Sequence, residues 1–212
     1  MLKINEIFYS IQGESSKSGL PCVFIRLTYC NLRCSYCDTE YAFFDGKEMS
    51  IEEIISEVKR YKCNLVEVTG GEPLMQEDVF VLMSRLCNEG FDVMLETGGS
   101  ISIKEVEKRV MIVMDLKCPS SNMLKKNLYS NIDYLKRNDE IKFVIGSKED
   151  YDWAKAIIKT YRLVNKCDIL FSVVYGELEP VKLVNWILED KLKVRYQLQM
   201  HKVIWHPETK GV

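Results

Sequence analysis

Short apolar segments alternate with segments of helical pattern along almost the whole chain, and this alternation restricts the possible folds more than any other feature. The segments predicted to be strands cover residues 21–29, 64–69, 91–97, 110–116, 141–145, 169–174 and 194–200. A strand that rejoins its sheet in parallel needs a crossover long enough for a helix, and the intervening segments supply that length. The sequence therefore predicts an α/β fold with a mostly parallel sheet.

Helix signals lie between these strands, and the first is a capping box in which Ser50 and Glu53 satisfy each other's backbone N–H groups. Helices are predicted to begin near Ser50, Glu77, Ser102, Lys148 and Pro180. Seven strands are fewer than the eight units of a closed barrel of roughly 250 residues. We therefore expect an incomplete, TIM-like β/α barrel in one domain over residues 1–212, with functional groups where the strands end.

Charge and hydropathy exclude several classes of function. The 29 basic and 31 acidic residues give a net charge of −2, so the chain has no excess of positive charge of the kind that binds nucleic acid or an anionic membrane. No apolar run approaches the roughly 20 residues that span a bilayer, and the start of the chain does not resemble a signal peptide. We expect a cytoplasmic protein without nucleic-acid or membrane partners.

Three of the eight cysteines, Cys30, Cys34 and Cys37, follow the first predicted strand within eight residues. Clustered thiols in a reducing compartment indicate metal ligands or catalytic groups, and soft thiolates select zinc, Cu(I) or iron–sulfur clusters. Structural zinc needs a fourth ligand, but both histidines, His201 and His206, are more than 160 residues away. Three thiolates suit a four-iron cluster with one iron open to a small ligand. A zinc-binding module is the alternative.

A second motif, Thr-Gly-Gly-Glu-Pro at residues 69–73, follows the next predicted strand. Paired glycines let the backbone approach a ligand closely, and the Glu72 carboxylate can accept hydrogen bonds from an ammonium group. An ordinary turn from strand to helix would explain the motif if it stood alone.

The cysteine spacing and the glycine motif together resemble the radical S-adenosylmethionine (SAM) enzymes. The resemblance implies that the amino and carboxylate groups of SAM chelate the open iron, and that one electron then releases a 5′-deoxyadenosyl radical. It implies SAM contacts from residues at successive strand ends, namely Tyr36, Asp38, Gly71, Glu72, Asp115, Leu116, Lys117, Ser172 and Tyr175.

The two ends of the chain narrow the resemblance. The segment 8–14 (Phe-Tyr-Ser-Ile-Gln-Gly-Glu), the Asp-Thr pair at 38–39 and the segment 199–202 (Gln-Met-His-Lys) resemble the 7-carboxy-7-deazaguanine synthase family. That family contracts the ring of 6-carboxy-5,6,7,8-tetrahydropterin with loss of ammonia, in queuosine (7-deazapurine) biosynthesis. The radical takes the C6 hydrogen and SAM is regenerated. A homodimer and a reductant protein such as flavodoxin or ferredoxin are implied as well.

The residues make chemical sense for a pterin, which presents a guanine-like edge of N–H donors. A carboxylate such as Glu14 accepts from such donors, and the Gln12 amide offers both a donor and an acceptor. Arg26, a charge inside an apolar strand, can grip the substrate carboxylate through two hydrogen bonds. The substrate residues implied by the resemblance are Ile11, Gln12, Gly13, Glu14, Arg26, Thr69 and His201.

Two further roles follow from the resemblance. The Thr39 hydroxyl is a hard oxygen ligand, and the family pattern uses it to hold Mg²⁺ against the substrate carboxylate. Glu96 is the candidate acid or base, and no other residue is assigned that role.

His201 has a structural alternative as a core histidine on the last strand, and Val212 is left out of the site because the tail continues past the family motif. A glycyl-radical enzyme activase, with the same cysteine spacing, is the alternative function.

Overall fold

The central feature of the computed structural model, which describes residues 1–212, is one nine-stranded sheet. Its strands are β1 (Leu2–Ile11), β2 (Pro21–Leu27), β3 (Lys47–Met49), β4 (Leu65–Gly70), β5 (Asp92–Thr97), β6 (Met111–Asp115), β7 (Glu140–Ile145), β8 (Asp168–Val173) and β9 (Arg195–Tyr196). The helices are α1 (Ile51–Arg60), α2 (Asp78–Asn88), α3 (Lys148–Thr160), α4 (Pro180–Glu189) and α5 (His201–Ile204). The strand order is β3-β1-β2-β4-β5-β6-β7-β8-β9.

The predicted architecture is confirmed. From β2 to β9 every neighbouring pair of strands is parallel, while β1 pairs antiparallel with both β2 and β3. The two outer strands, β3 and β9, do not pair with each other, so the sheet forms an incomplete barrel. The predicted capping box of α1 is present, with Ser50 Oγ accepting from the backbone N–H of Glu53.

Two predictions about individual elements are wrong. The last strand covers only two residues instead of 194–200, because backbone and side-chain contacts of Gln199 and Met200 with the segment after β1 draw the chain away from the sheet. No helix begins at Ser102, where the backbone is held in turns by the buried Asn131 side chain, which accepts from Ile103 N at 3.1 Å. The antiparallel strands β1 and β3 were not predicted.

The strand β1 escaped prediction because a bulge interrupts its alternation. Ile4 pairs with Leu27 and Glu6 pairs with Arg26, so Asn5 is an extra residue without a partner in β2. An extra residue moves every later side chain to the opposite face of the strand. Leu2 and Ile4 therefore face the helices, while Glu6 and Phe8 face the inside of the barrel.

The outer face of the sheet packs against the helices in one large core. Helix α1 contributes Ile54, Ile55 and Val58 to this core, and α2 contributes Leu82 and Met83 among others. These positions recur at helical spacing, so each helix buries one apolar face against the sheet. Strand residues of alternating position, such as Val66 and Val68 of β4, complete the core from the sheet side.

The inner face of the sheet is arranged in layers. At the amino ends of the strands lies an apolar floor formed by Cys22, Phe24, Leu65, Met94 and Val113. Two residues further along β4 and β5, the inward side chains are charged: Glu67 follows Leu65, Glu96 follows Met94, and Glu96 is ion-paired with Lys142 of β7. At the rim, Arg26 lies beside Thr69 in the register of β2 and β4. The layers place buried charge between an apolar floor and an open rim.

The segment 12–16, directly after β1, fills the gap that the incomplete barrel leaves. The backbone N–H of Ser15 donates to Gln197 Oε1 at 2.9 Å, and the backbone N–H of Ser16 donates to Glu140 Oε1 at 2.9 Å. Met200 N donates to Gly13 O at 3.0 Å. This segment therefore links the first strand to the far end of the sheet.

None of the five helices has the length and apolar character that a membrane crossing requires.

We expect Leu82→Ala to lower the free energy of unfolding by about 2–5 kcal/mol, because the fully buried side chain leaves a cavity in the outer core. The neighbouring Val81 is half exposed on the same helix, so Val81→Ala should change that free energy by no more than about 0.5 kcal/mol. Urea unfolding followed by circular dichroism measures both. Equal losses would contradict the packing of α2 described here.

Candidate active site

A cavity of about 510 Å³ opens at the carboxyl ends of the parallel strands. Its walls are formed by the loops after β1, β2, β4, β5, β6 and β8, by α5 and by the C-terminal segment 207–212. In parallel β/α sheets, strand ends and the loops that follow them meet at one edge, which is why residues distant in sequence converge here. The sequence motifs at 30–37 and 69–73 lie next to each other in this wall.

The three thiols of Cys30, Cys34 and Cys37 are half-buried and free, and all line the cavity. Burial raises the pKa of each thiol above its ordinary value, so a positively charged centre is required to hold them as thiolates at neutral pH. No group of three or more His, Cys, Asp or Glu side chains is placed to hold a single metal ion. Structural zinc takes four protein ligands, so three thiols that line one open cavity fit a four-iron cluster with an open iron better than a zinc ion.

The glycine motif packs directly on the cysteine loop. A Cβ atom on Gly71 would overlap the carbonyl oxygen of Tyr29 and would lie 3.0 Å from the Cβ of Cys30. The backbone N–H of Glu72 donates to that same Tyr29 oxygen at 2.7 Å. Tyr29 itself has a φ of 78°, a left-handed conformation that is uncommon outside glycine. Gly71 therefore sets the position of the first cysteine.

Glu72 was expected to accept from the amino group of SAM, and the structure places its carboxyl elsewhere. Glu72 is fully buried and does not line the cavity. Its oxygens accept from Leu74 N at 3.1 Å, from Thr97 Oγ1 at 2.9 Å and from Gly98 N at 2.7 Å. In this conformation the carboxyl joins the end of β4 to the end of β5.

Three residues expected to contact SAM carry unsatisfied polar atoms. Only six buried side-chain oxygen or nitrogen atoms in the chain lack a hydrogen-bond partner, and three of them are Tyr36 OH, Asp115 Oδ1 and Ser172 Oγ. An unpaired buried polar atom costs free energy, so such atoms mark places where a ligand can supply the missing hydrogen bond. Tyr36 and Asp115 line the cavity, whereas Ser172 lies just outside its lining. These atoms fit a polar cofactor.

Of the other residues expected to contact SAM, some line the cavity and one does not. Lys117 and Tyr175 line the cavity, and Lys117 Nζ is ion-paired with Asp115 Oδ2 at 2.8 Å. Burial lowers the pKa of Lys117, but the charges of Asp115 and Cys34 and the hydrogen bond to Asp115 together raise it above its ordinary value, so the ammonium stays charged. Leu116 is fully buried, and its backbone N–H donates to Lys142 O at 2.9 Å as part of the sheet. Leu116 does not line the cavity.

Asp38 and Thr39 lie together at the cavity mouth. Thr39 Oγ1 donates to Asp38 Oδ1 at 2.9 Å, and Asp38 Oδ2 is ion-paired with Lys202 at 2.6 Å. Desolvation acts to raise the pKa of Asp38, but Lys202 and the Thr39 hydroxyl hold it below its ordinary value. The result is an ionised carboxylate beside a hydroxyl oxygen, which is a hard-oxygen environment.

The deepest wall is a buried network of charges around Lys142 of β7. Its ammonium is ion-paired with Glu14 at 2.6 Å and with Glu96. Glu14 also accepts from Gln199 Nε2 at 2.7 Å. Burial favours the neutral forms of Glu14 and Lys142, but their mutual attraction outweighs it, lowering the pKa of Glu14 and raising that of Lys142. Both groups are therefore charged at neutral pH.

Gln12 and Gly13 complete this wall. Gln12 Nε2 donates to Glu67 Oε2, and Gln12 Oε1 accepts from the backbone N–H of Glu14 at 2.9 Å, so the amide orientation is fixed from both sides. A Cβ atom on Gly13 would overlap the His201 ring, so glycine makes room for the imidazole. Burial lowers the pKa of His201, which leaves it neutral at pH 7.

Arg26 enters the cavity from β2 with its guanidinium partly engaged. Its Nε donates to Glu6 Oε1 at 2.7 Å, while its two terminal nitrogens make no hydrogen bond within the chain. The guanidinium lies 5.7 Å from the ring centre of Phe8 and 5.9 Å from that of Tyr41, which limits its freedom. Two free N–H-bearing nitrogens on a fixed plane suit a carboxylate ligand.

The structure gathers most of the predicted site residues around one cavity. Those that line it are Ile11, Gln12, Gly13, Glu14, Arg26, Cys30, Cys34, Tyr36, Cys37, Asp38, Thr39, Thr69, Gly71, Glu96, Asp115, Lys117, Tyr175 and His201. Glu72, Leu116 and Ser172 do not. His201 lines the cavity and begins α5, so it does not have the place on the last strand that the structural alternative of a core histidine required.

Sequence reasoning missed Glu67, Lys142, Gln199 and Lys202, all of which line the cavity. Two of them carried a usable signal. Glu67 and Lys142 are charges inside otherwise apolar strands, the same signal that singled out Arg26. The C-terminal segment was missed as well. Residues 207–212, including Val212, line the cavity, and Lys210 Nζ lies 4.3 Å from the centre of the Tyr41 ring.

Comparison with known proteins gives concordant results. Residues 24–177 match the model of the radical SAM superfamily. The chain is 47% identical to the 7-carboxy-7-deazaguanine synthase of Chlorobaculum tepidum, over 100% of this chain and 97% of that protein. It is 44% identical to the enzyme of the same name from Koribacter versatilis, over 100% of both. The crystal structure of QueE from Escherichia coli has a TM-score of 0.75 at 22% identity, covering 92% of this chain and 93% of that one, and so shows the same fold.

We expect Lys142→Met to lower the free energy of unfolding at pH 7 by about 3–5 kcal/mol, because it leaves Glu14 and Glu96 without their buried cation. In the wild type the depressed pKa of Glu14 gives stability that is complete above its ordinary pKa. That stability is lost as the pH falls below about 4.5 and through the depressed pKa, so the deficit of the variant, which lacks it, should shrink over that acidic range.

Urea unfolding at several pH values measures this dependence. Lys59→Met is the matched control, because Lys59 and Glu89 form an exposed ion pair, and it should cost about 1 kcal/mol or less at every pH. A deficit of Lys142→Met that stays constant with pH would show that the loss comes from packing and not from charge.

Proposed function

The chain belongs to the 7-carboxy-7-deazaguanine synthase family of radical SAM enzymes, and we propose that it converts 6-carboxy-5,6,7,8-tetrahydropterin to 7-carboxy-7-deazaguanine with loss of ammonia. The observation that carries the proposal is the joining of two features in one cavity. The three free thiols of Cys30, Cys34 and Cys37 line the same cavity as a group of buried acceptors around Gln12 and Glu14.

The chain's residues divide between cofactor and substrate. Cys30, Cys34 and Cys37 would hold a four-iron cluster, and the unpaired Tyr36 OH and Asp115 Oδ1 would bind SAM. When bound, the cluster and SAM supply one-electron chemistry that generates a carbon radical able to abstract the C6 hydrogen.

The substrate would lie against the charged wall. Glu14, kept ionised by Lys142, accepts from the N–H edge of the pterin. The two free terminal nitrogens of Arg26 bind the substrate carboxylate from the rim. Buried polar groups that need a partner reject ligands that lack the matching group, so this wall selects for the pterin ring. Because His201 is neutral at pH 7, it contributes a hydrogen bond and no charge.

Mg²⁺ would bind beside the substrate carboxylate. Thr39 Oγ1 lines the cavity next to an ionised Asp38, so the hydroxyl can contribute one hard oxygen while the substrate supplies others. Magnesium commonly keeps few protein ligands, which suits a site with a single hydroxyl.

A reductant protein of the flavodoxin or ferredoxin type and a homodimeric assembly stay predictions, as does a single domain over residues 1–212. The family membership supports a small-molecule substrate in place of the protein substrate that a glycyl-radical enzyme activase would need. Two properties of the cavity support the same choice, namely its enclosed charged wall and the segment 207–212 along its edge.

The test is an anaerobic assay of the reconstituted protein with reductant, SAM, Mg²⁺ and 6-carboxytetrahydropterin, read by mass spectrometry. We expect 7-carboxy-7-deazaguanine and ammonia with little net loss of SAM. Formation of 5′-deoxyadenosine without that product would overturn the substrate assignment and leave the radical chemistry in place.

Cys34→Ala should abolish product formation and lower the iron and sulfide content, because it removes one of three cluster ligands. Cys63→Ala is the matched control, since Cys63 is a half-buried free thiol that does not line the cavity. Iron and sulfide analysis with product assays measures both variants. Unchanged iron content in Cys34→Ala would contradict the ligand assignment.

Thr39→Ala should raise the Mg²⁺ concentration needed for half-maximal activity by roughly tenfold, the loss expected for one ligand contact of about 1.4 kcal/mol. SAM affinity should stay within about twofold, because the hydroxyl faces Asp38 and the cavity mouth. Magnesium titration and a SAM binding isotherm measure the two effects. An unchanged magnesium response would place the ion elsewhere.

A further inference from the structure

Glu67 is a buried carboxyl at the cavity wall to which neither the motifs nor the proposed function assigns a role. It lies on the inner face of β4 and is 3% exposed, yet it lines the cavity. Its only hydrogen bond within the chain comes from the neutral Gln12 amide, whose Nε2 donates to Oε2. No ion pair reaches it. A buried carboxylate without a cation is strongly disfavoured relative to the neutral acid.

The charged and titratable groups around Glu67 come from four packed elements. They are Cys22 and Arg26 of β2, Glu96 of β5, Lys142 of β7 and Glu14 of the segment after β1. The two cations among them are already engaged, Arg26 by Glu6 and Lys142 by Glu14 and Glu96. Burial and then the Glu96 charge raise the pKa of Glu67 well above its ordinary value.

One amide ties Glu67 to Glu14. Gln12 Nε2 faces Glu67, and Gln12 Oε1 accepts from the backbone N–H of Glu14 at 2.9 Å. The two carboxyls therefore have fixed places on one wall but opposite environments, because Glu14 has a cation and Glu67 has none. Environments that separate two neighbouring carboxyls in this way give them different proton states and different hydrogen-bonding roles.

We propose that Glu67 is held as a neutral carboxyl group and donates a hydrogen bond to the ring carbonyl oxygen of the substrate, while the ionised Glu14 beside it accepts from the adjacent ring N–H groups. The inference rests on the proposed function, since a pterin presents donors and a carbonyl acceptor along one edge. Two carboxylates would offer acceptors only, and the carbonyl would then face a like-charged oxygen. Glu67 would thus determine specificity for the oxo form of the ring.

The first test compares the pH dependence of kcat/KM for the wild type, Glu67→Gln and Glu67→Ala in the anaerobic assay. The wild type should lose activity on the alkaline side as the Glu67 proton leaves. Glu67→Gln keeps an N–H donor at every pH, so that alkaline limb should disappear or move to higher pH. Glu67→Ala should lower kcat/KM by roughly tenfold to a hundredfold, with most of the loss in KM, because the contact exists before the reaction begins.

The second test is independent of turnover. Infrared spectra of the reconstituted enzyme at pH 7 should contain the carbonyl stretch of a protonated carboxyl, which Glu67→Gln removes. Glu52→Gln is the control, because Glu52 is exposed and paired with Arg85, and it should leave that band unchanged.

An alkaline limb that is identical in Glu67→Gln and the wild type, or a wild type without the protonated-carboxyl band, would overturn the proposal. Failure of the proposed function has a different signature. If the wild type forms no product at any pH, the assigned substrate is wrong and the contact to its carbonyl falls with it. The infrared band would then still establish whether Glu67 holds a proton.

Discussion

A sheet that does not close into a barrel leaves part of its inner face without a neighbour, and in this chain a buried ion pair anchors the segment that fills the gap. The segment 12–16 crosses the gap between β1 and the far end of the sheet, and Glu14 anchors it on Lys142 of β7. Because the pair is buried and Lys142 is the only cation paired with Glu14, removing Lys142 would leave the Glu14 carboxylate buried without a cation. The position of Gln12, the room for His201 and the shape of the cavity all depend on this contact.

The charged layer has a further property that follows from its placement over an apolar floor. Phe24 and Met94 flank Glu67 in the register of the sheet and keep water from it, so the charges beside them are screened weakly. In such surroundings small differences in contacts decide whether a carboxyl is ionised. Glu72 and Asp115 show a related contrast at the rim, since every oxygen of Glu72 has a donor whereas one oxygen of Asp115 has none. Satisfied carboxyls hold the loops together, and unsatisfied ones are left for ligands.

Sequence reasoning predicted the parallel sheet, its incomplete closure and the meeting of the cysteine loop with the glycine motif, because each depends on local pattern and on the common edge of parallel strands. It failed where a distant contact decides the outcome. The stretch 194–200 has strand character, but the contacts of Gln199 and Met200 with the segment after β1 turn it away from the sheet. Which oxygen of Glu72 finds a donor likewise depends on Thr97 and Gly98, more than twenty residues away in sequence.

The bulge at Asn5 determines which side chains of β1 face the helices and which face the inside of the barrel; we call this assignment the phase of the strand. Ahead of it Leu2 and Ile4 face the helices, and behind it Glu6 pairs with Arg26 and Phe8 lines the cavity. Replacing Asn5 by another residue leaves this phase intact, whereas deleting one residue there would turn Arg26's partner and the substrate wall toward the helices. In this strand the number of residues therefore matters more than which residue occupies the bulge. An alignment that tolerates a gap in this strand would therefore join molecules whose cavities cannot have the same lining.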